Sequence, residues 1–211
     1  RLSPHLARQR HPLRPHRQPR SSRAIQLRLD LLDMTNPDEI PLMGGQLTPG
    51  IVRIGDTVRR PQKSNAPFVH EFLLFLERQE FHEAPRFLGI DERGRDILSY
   101  IEGQTLPGSG YRLSDDLLVK TASLIRRLHD ATAGSALAQS HEIVAHTDLG
   151  PHNTIFQDNE PAGIIDWDGA VPGTRLRDFA NAVWCYVDVS QRTWPVAEQA
   201  RRIQLMCSVY G

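Results

Sequence analysis

The run His146-Thr147-Asp148-Leu149-Gly150-Pro151-His152-Asn153 constrains this chain more than any other part of it. A histidine, a carboxylate two residues on and an amide five residues beyond that are followed by Ile164-Ile165-Asp166-Trp167-Asp168, an apolar strand pattern that ends in two carboxylates. Gly150-Pro151 makes a loop, which keeps Asp148 out of a helix and able, once ionised, to reach a hydroxyl. Asn153 and Asp166 stand thirteen residues apart and offer the hard oxygen donors that magnesium prefers. Phosphoryl transfer from a nucleotide requires this set. One carboxylate receives the hydroxyl proton, while an amide oxygen and a second carboxylate hold metal ions that bridge the phosphates.

The rest of the chain predicts an α+β, two-lobed plan with the chemistry at the join. Ile51 to Val58 reads as strands around a Gly55-Asp56 turn, and Pro67 opens a helix in which Phe68, Phe72, Phe75 and Leu76 recur through about Glu80. Two more strands are expected at Phe87 to Ile90 and Asp96 to Ile101, with Gly103 ending the second. After Pro107-Gly108-Ser109-Gly110 the chain turns helical. Ser114 is the predicted N-cap, with Asp115 and Asp116 in the first turn and Leu117, Thr121, Leu124, Ile125 and Leu128 as the buried stripe. Short strands at Thr154-Phe156 and Gly163-Asp166, then helices near Arg177-Val189 and Pro195-Tyr210, complete the reading. The expected organisation is an extension over 1–33, a small strand-rich lobe with its hinge over 34–103, and a helical lobe over 104–211.

Composition narrows the class. With 39% hydrophobic residues the chain suits an ordinary globular protein, and no apolar run approaches the ~20 residues needed to span a bilayer. The net charge of +0 hides a split, since eight arginines face only Asp30 and Asp33 in residues 1–33, leaving 17 basic against 23 acidic residues beyond. That Arg-, Pro- and His-rich arm is expected to be disordered and outside the functional protein, which opens more normally at Met34, so nucleic acid is not an expected partner. Cys185 and Cys207 are expected as buried free thiols, consistent with the cytoplasm.

These residues resemble the aminoglycoside phosphotransferase-like family, the small-molecule branch of the protein-kinase-like fold. The resemblance covers about Gly44 to Tyr210 and is most specific in the His146 to Asn153 run, at Ile165-Asp166-Trp167-Asp168, and at Pro172-Gly173 followed by Asp178-Phe179-Ala180. It implies Asp148 as the catalytic base, Asn153 and Asp166 as magnesium ligands, and Tyr100-Ile101-Glu102-Gly103 as the hinge that meets the adenine. It implies supporting roles for His146, which would brace the loop, and for Asp178, which would hold the loop's backbone from a neighbouring helix. Asp168 is left between metal or substrate contact and capping of the next turn. The implied cofactors are magnesium and ATP or GTP, and the implied acceptor is a small molecule bearing a hydroxyl.

Departures from that pattern are also visible. Where a lysine normally meets the phosphates the chain has Thr57-Val58-Arg59-Arg60-Pro61, and alternation sends only one of Arg59 and Arg60 towards the cleft. The glutamate that would orient this cation is Glu71 or is replaced by His70. Gly44-Gly45 is a weak phosphate-loop candidate. Family members usually continue further, so part of the substrate-binding helical region is expected to be missing after Gly211. A non-catalytic or truncated member of the same fold is therefore the main rival. A hydrolase with His146, Asp148 and His152 on a metal is the lesser one, because it leaves Asn153 and Asp166 unexplained.

Overall fold

Gly55, at φ +56°, lets the chain reverse between strands β2 (Val52–Ile54) and β3 (Thr57–Pro61), which follow a short β1 (Ile40–Pro41). Strands β4 (Phe87–Ile90) and β5 (Arg95–Ser99) complete an antiparallel sheet of order β1-β2-β3-β5-β4. The β3–β5 register pairs Arg59 with Ile97 and Arg60 with Asp96. Between β3 and β4 runs helix α1 (Ala66–Arg78), whose Ala66, Val69, Phe72, Leu73 and Leu76 are buried. Period 3.6 accounts for that stripe.

Helices dominate the second half: α2 (Asp115–Thr132), α3 (Arg175–Val187) and α4 (Val196–Tyr210). Ser114 caps α2 by accepting the Leu117 N–H at 3.2 Å. The buried stripe of α2 is carried by Leu118, Thr121, Ala122, Leu124, Ile125 and Leu128, with Leu117 only partly covered. Two small antiparallel pairs lie between the sheet and the last helices. Strand β6 (Ile143–Ala145) pairs with β9 (Val171–Gly173), and β7 (Thr154–Gln157) pairs with β8 (Glu160–Ile164). One hydrophobic core runs from Val69, Phe72 and Leu98 through Trp167 to Leu124, Phe179 and Met206. Full burial of a side chain such as Phe72 contributes about 1.5–3 kcal/mol.

The computed structural model describes residues 38–42, 50–107, 109–189 and 194–211, and Glu39–Gly211 form one unit. The extension over 1–33, Gly44-Gly45 and Gly108 lie outside the described residues.

Three expectations need correction. The strand expected to reach Asp166 stops at Ile164, and Asp166 adopts a left-handed conformation, φ +65° and ψ +60°. Strand β5 ends at Ser99, so Tyr100 and Ile101 are connection rather than strand. Cys207 is exposed and Cys185 half-buried, both as free thiols, because apolar neighbours in sequence do not decide which face of a helix meets the core.

Gly103 ties the two halves together. At φ +132°, a Cβ added there would lie 2.5 Å from the Phe156 carbonyl oxygen. The approach is that close because Gln104 and Phe156 exchange both backbone hydrogen bonds, at 2.9 and 2.8 Å, which docks the connection after β5 onto β7.

Candidate active site

Strand β6 delivers its last residue, Ala145, into a loop held from behind. The buried carboxylate of Asp178, in the first turn of α3, accepts the backbone N–H of His146 at 3.0 Å and of Thr147 at 2.7 Å. Thr147 has φ +71°, a region that costs a β-branched residue on the order of 1–3 kcal/mol. Its hydroxyl donates to Gly169 O at 3.1 Å and its carbonyl accepts from Asn181 Nδ2 at 3.2 Å, so the strained residue is held at three points. Burial disfavours the ionised form of Asp178. The hydrogen bonds from His129, His146 and Thr147 outweigh it and hold the carboxyl below the usual carboxylate range.

His146 is fully buried and both ring nitrogens are engaged. Nε2–H donates to Ile165 O at 3.0 Å, and Nδ1 accepts the Asp148 N–H at 3.3 Å. One donor and one acceptor define a neutral imidazole, and burial lowers its pKa from the ordinary 6.5. Metal ligation by His146, as the hydrolase reading required, is thereby excluded.

This burial has a consequence for pH. An unfolded chain takes up a proton on His146 near pH 6.5, whereas the folded chain resists it until lower pH. The unfolded state then binds more protons, so stability should fall on acidification below pH 6.5 by up to about 1.4 kcal/mol per pH unit. Asp178, with its depressed pKa, adds a further loss at lower pH. Thermal midpoints between pH 7.5 and 5 should drop, and His146→Gln should flatten the upper part of that profile; an equally steep profile in the variant would remove His146 as the cause.

Asp148 is exposed over much of its side chain. Its Oδ2 and its backbone carbonyl accept from Asn153 Nδ2 at 2.9 and 3.0 Å, and His152 Nε2 lies 3.4 Å from Oδ1. Asn153 closes the 3-10 turn Pro151–Asn153, and Gly150 ahead of it faces the His152 ring, where a Cβ would lie 2.5 Å from Cε1.

Across from this loop stands Arg60. Its side chain is buried, and the guanidinium donates to Asp166 Oδ1 at 3.2 Å and to Asp168 Oδ2. Burial and the charge of Asp166 raise the Asp168 pKa, against the pull of Arg60 and Lys63. Alternation settles the neighbouring arginine: Arg59 points to the opposite face of β3, donating to Thr57 Oγ1 at 2.6 Å and lying 3.9 Å from Asp91. Only one of the two arginines faces the cleft, as alternation required, and it is Arg60. Glu71 is exposed, and His70 takes the inward position with Nε2 2.7 Å from Asp96 Oδ1. Trp167, between the two carboxylates, is buried against His146 and Phe72, at 4.6 and 5.3 Å between ring centroids. Asn65, at the head of α1, spends its amide on Asp168 O and Ala170 O, at 3.3 and 2.9 Å, instead of capping its own helix.

Arg60, Asn153, Asp166, Trp167 and Asp168 open onto a cleft of about 440 Å³ between the sheet and the β7–β8 pair, and Asp148 meets it through Asn153 without lining it. Val58, Leu73, Leu98, Ile101, Ile155 and Ile165 give it apolar walls, and Arg60, Asn153, Asp166 and Asp168 sit at its polar end. Tyr100 and Ile101 line it. Glu102 does not: its carboxylate turns outward to Arg53 at 2.8 Å, and Arg53 also covers the Tyr100 ring at 3.7 Å. Among the described residues, none hydrogen-bonds to the backbone of Ile101 or Glu102.

The phosphotransferase enzyme family model matches residues 133–206, the stretch that carries the loop, both carboxylates and α3. Beyond that stretch, the trifolitoxin immunity protein of Rhizobium leguminosarum bv. trifolii is 33% identical over 198 residues, spanning 82% of this chain and 74% of that protein. The chain belongs to the phosphotransferase enzyme family.

The fold of this phosphotransferase is similar to that of an aminoglycoside phosphotransferase from Streptomyces rimosus, solved with ADP and streptomycin. The TM-score is 0.60 at 15% identity, over 89% of this chain and 91% of that one. It is likewise similar to macrolide 2'-phosphotransferase from Brachybacterium faecium, with a TM-score of 0.54 at 14% identity over 89% and 82%. The α+β, kinase-like architecture expected from the sequence is thereby established.

Several contributors to the phosphotransferase site were not singled out in the sequence. His129 and Tyr210 reach it only through the core, Asn65 carries no motif, and Thr147 lies inside the His146 to Asn153 run without a role of its own. Three further carboxylates are already engaged. Glu102 pairs with Arg53, Asp168 with Arg60, and the buried Asp188 accepts the Gly110 N–H at 3.1 Å. A second cleft opens beside Thr147, lined by Val171, Arg177, Asn181 and the half-exposed Trp184.

Proposed function

We propose that this phosphotransferase moves the γ-phosphoryl group of a magnesium-bound nucleoside triphosphate, ATP or GTP, onto a hydroxyl of a small molecule. The observation that supports this reading most is the meeting of Arg60, Asn153, Asp166 and Asp168 at the polar end of one apolar cleft, next to Asp148. Asp148 is the base: its Oδ1, beside His152, is free of Asn153 and takes up the acceptor's proton. Asn153 and Asp166 hold the metal. The Asn153 Nδ2 is committed to Asp148, which turns its amide oxygen to other partners, and oxygen donors are what magnesium selects. Among the described residues no cluster of three or more His, Cys, Asp or Glu side chains makes a complete metal cage. The donor set therefore fits an ion that takes its remaining ligands from phosphates. When bound, magnesium would neutralise charge on the bridged phosphates.

Arg60 supplies the fixed cation near the phosphates, and its planar guanidinium grips oxygens bidentately where a lysine offers a point charge. The backbone groups of Ile101 and Glu102 are available to the edge of a purine ring. Among the described residues no helix is long and apolar enough to cross a membrane, and this reading places the protein in the cytoplasm with its nucleotide supply. The resemblance to the trifolitoxin immunity protein favours one biological role in particular, protection against a toxin whose hydroxyl is the acceptor.

Thermal unfolding of the 211-residue chain with ATP or GTP, each with and without magnesium, tests the reading. At a hundredfold excess over Kd, binding adds about 2.7 kcal/mol, which for a chain of this size raises the midpoint by roughly 5–10 °C. The rise should require magnesium. A folded protein whose midpoint ignores both nucleotides would be a non-catalytic member of the fold.

A further inference from the structure

A line of buried polar groups runs from the last helix to the back of the catalytic loop. The Tyr210 hydroxyl, on α4, lies 2.6 Å from Nδ1 of His129 on α2, and Nε2 of His129 lies 3.1 Å from Asp178 Oδ2 on α3. Asp178 in turn receives the N–H groups of His146 and Thr147. His129 and Asp178 are 0% exposed as side chains.

The direction of each hydrogen bond follows from the groups. Asp178 as a carboxylate only accepts, so His129 donates to it from Nε2, and in the neutral imidazole Nδ1 then accepts from the Tyr210 hydroxyl. The guanidinium of Arg175 lies near that phenol and, having no acceptor, cannot compete for its proton. The Tyr210 ring is fixed independently, stacked on Phe179 at 3.9 Å, while the Tyr210 backbone carbonyl accepts from Arg126 Nη1 at 2.6 Å. Three helices far apart in sequence therefore converge on one carboxylate.

We infer that Tyr210 and His129 are positioning residues for Asp148, acting through Asp178 to hold the loop in its left-handed turn at Thr147. Tyr210 selects the imidazole tautomer, and His129 then pins Asp178 Oδ2. This fixes the carboxylate's rotation so that its two oxygens face the two backbone N–H groups. Without the phenol the imidazole can place its proton on Nδ1, leaving a bare Nε2 facing the carboxylate. The loop then loses one of the constraints that offset the strain at Thr147.

Two readouts on Tyr210→Phe decide the matter, and only the second rests on the proposed function. Amide hydrogen exchange at His146 and Thr147 should accelerate about fivefold or more, the equivalent of one lost hydrogen bond, while amides in β2 and β3 keep their rates. If the wild-type protein turns over nucleotide, kcat should fall about threefold to tenfold with KM for nucleotide unchanged. His129→Gln, which can present an N–H towards Asp178, should retain more of the exchange protection and turnover than His129→Leu. Unchanged exchange at His146 and Thr147 in folded Tyr210→Phe would overturn the inference. So would exchange that rises uniformly across the protein, the mark of a merely structural role. A wild-type protein without turnover would defeat the functional reading instead, leaving the exchange result to stand by itself. Should His129→Leu fail to fold, Tyr210→Phe and His129→Gln still decide.

Discussion

Asp148→Asn should lower turnover by about 10²–10⁴-fold while nucleotide affinity stays within about twofold. The substitution keeps the shape, and the surroundings dictate how the new amide orients. Asn153 Nδ2 donates to Asp148 Oδ2 at 2.9 Å, so the new side chain must offer its carbonyl oxygen there. Its NH₂ then takes the Oδ1 position, where an acceptor hydroxyl would meet a donor in place of a base. Steady-state kinetics with a hydroxyl-bearing acceptor, together with nucleotide titration, separate the two effects. If nucleotide binding disappears as well, Asp148 serves the cleft's architecture and not proton transfer.

Asp166→Asn should remove the magnesium-dependent part of nucleotide stabilisation. Asparagine is the informative replacement because Asp166 sits at φ +65°, which asparagine tolerates, whereas alanine there adds backbone strain that would confuse the result. The ligand-free midpoint should stay within about 2–4 °C of wild type, the shift expected for 1 kcal/mol in a chain of this size. The rise of roughly 5–10 °C expected for wild type with nucleotide and magnesium should collapse to what nucleotide alone produces. A midpoint that still climbs fully with magnesium would transfer the metal to other oxygens, with Asp168 the first to examine.

How far these assignments could be read before the structure depended on range along the chain. The His146 to Asn153 run is local, and eight consecutive residues were enough to bring Asp148, Asn153 and the turn between them together. The Gly55-Asp56 hairpin and the Ser114 cap are equally local, and both stand where turn and cap chemistry put them. The choice between Arg59 and Arg60 was out of reach because period-two alternation gives two faces without saying which one looks inward. The pairing of β3 with β5 and the packing of α1 decide that. His70 and Glu71 raised the same problem on a helix. Asp166 was misread as the end of a strand because an apolar run does not announce a left-handed residue. The Tyr210–His129–Asp178 line spans sequence separations of 81 and 49 residues, and nothing in a single sequence links positions so far apart.

One contact at the mouth of the cleft carries a thermodynamic corollary. Arg60 is held by Asp166 and Asp168, two of the oxygen-bearing groups that a divalent cation would want. A cation arriving at those carboxylates releases the guanidinium, and an anion that draws the guanidinium away bares the carboxylates. Each ligand thus lowers the cost of admitting the other, and by reciprocity the favour is equal in both directions. Under the proposed function, the salt bridge would make affinity for nucleotide a function of free metal concentration, and affinity for metal a function of nucleotide.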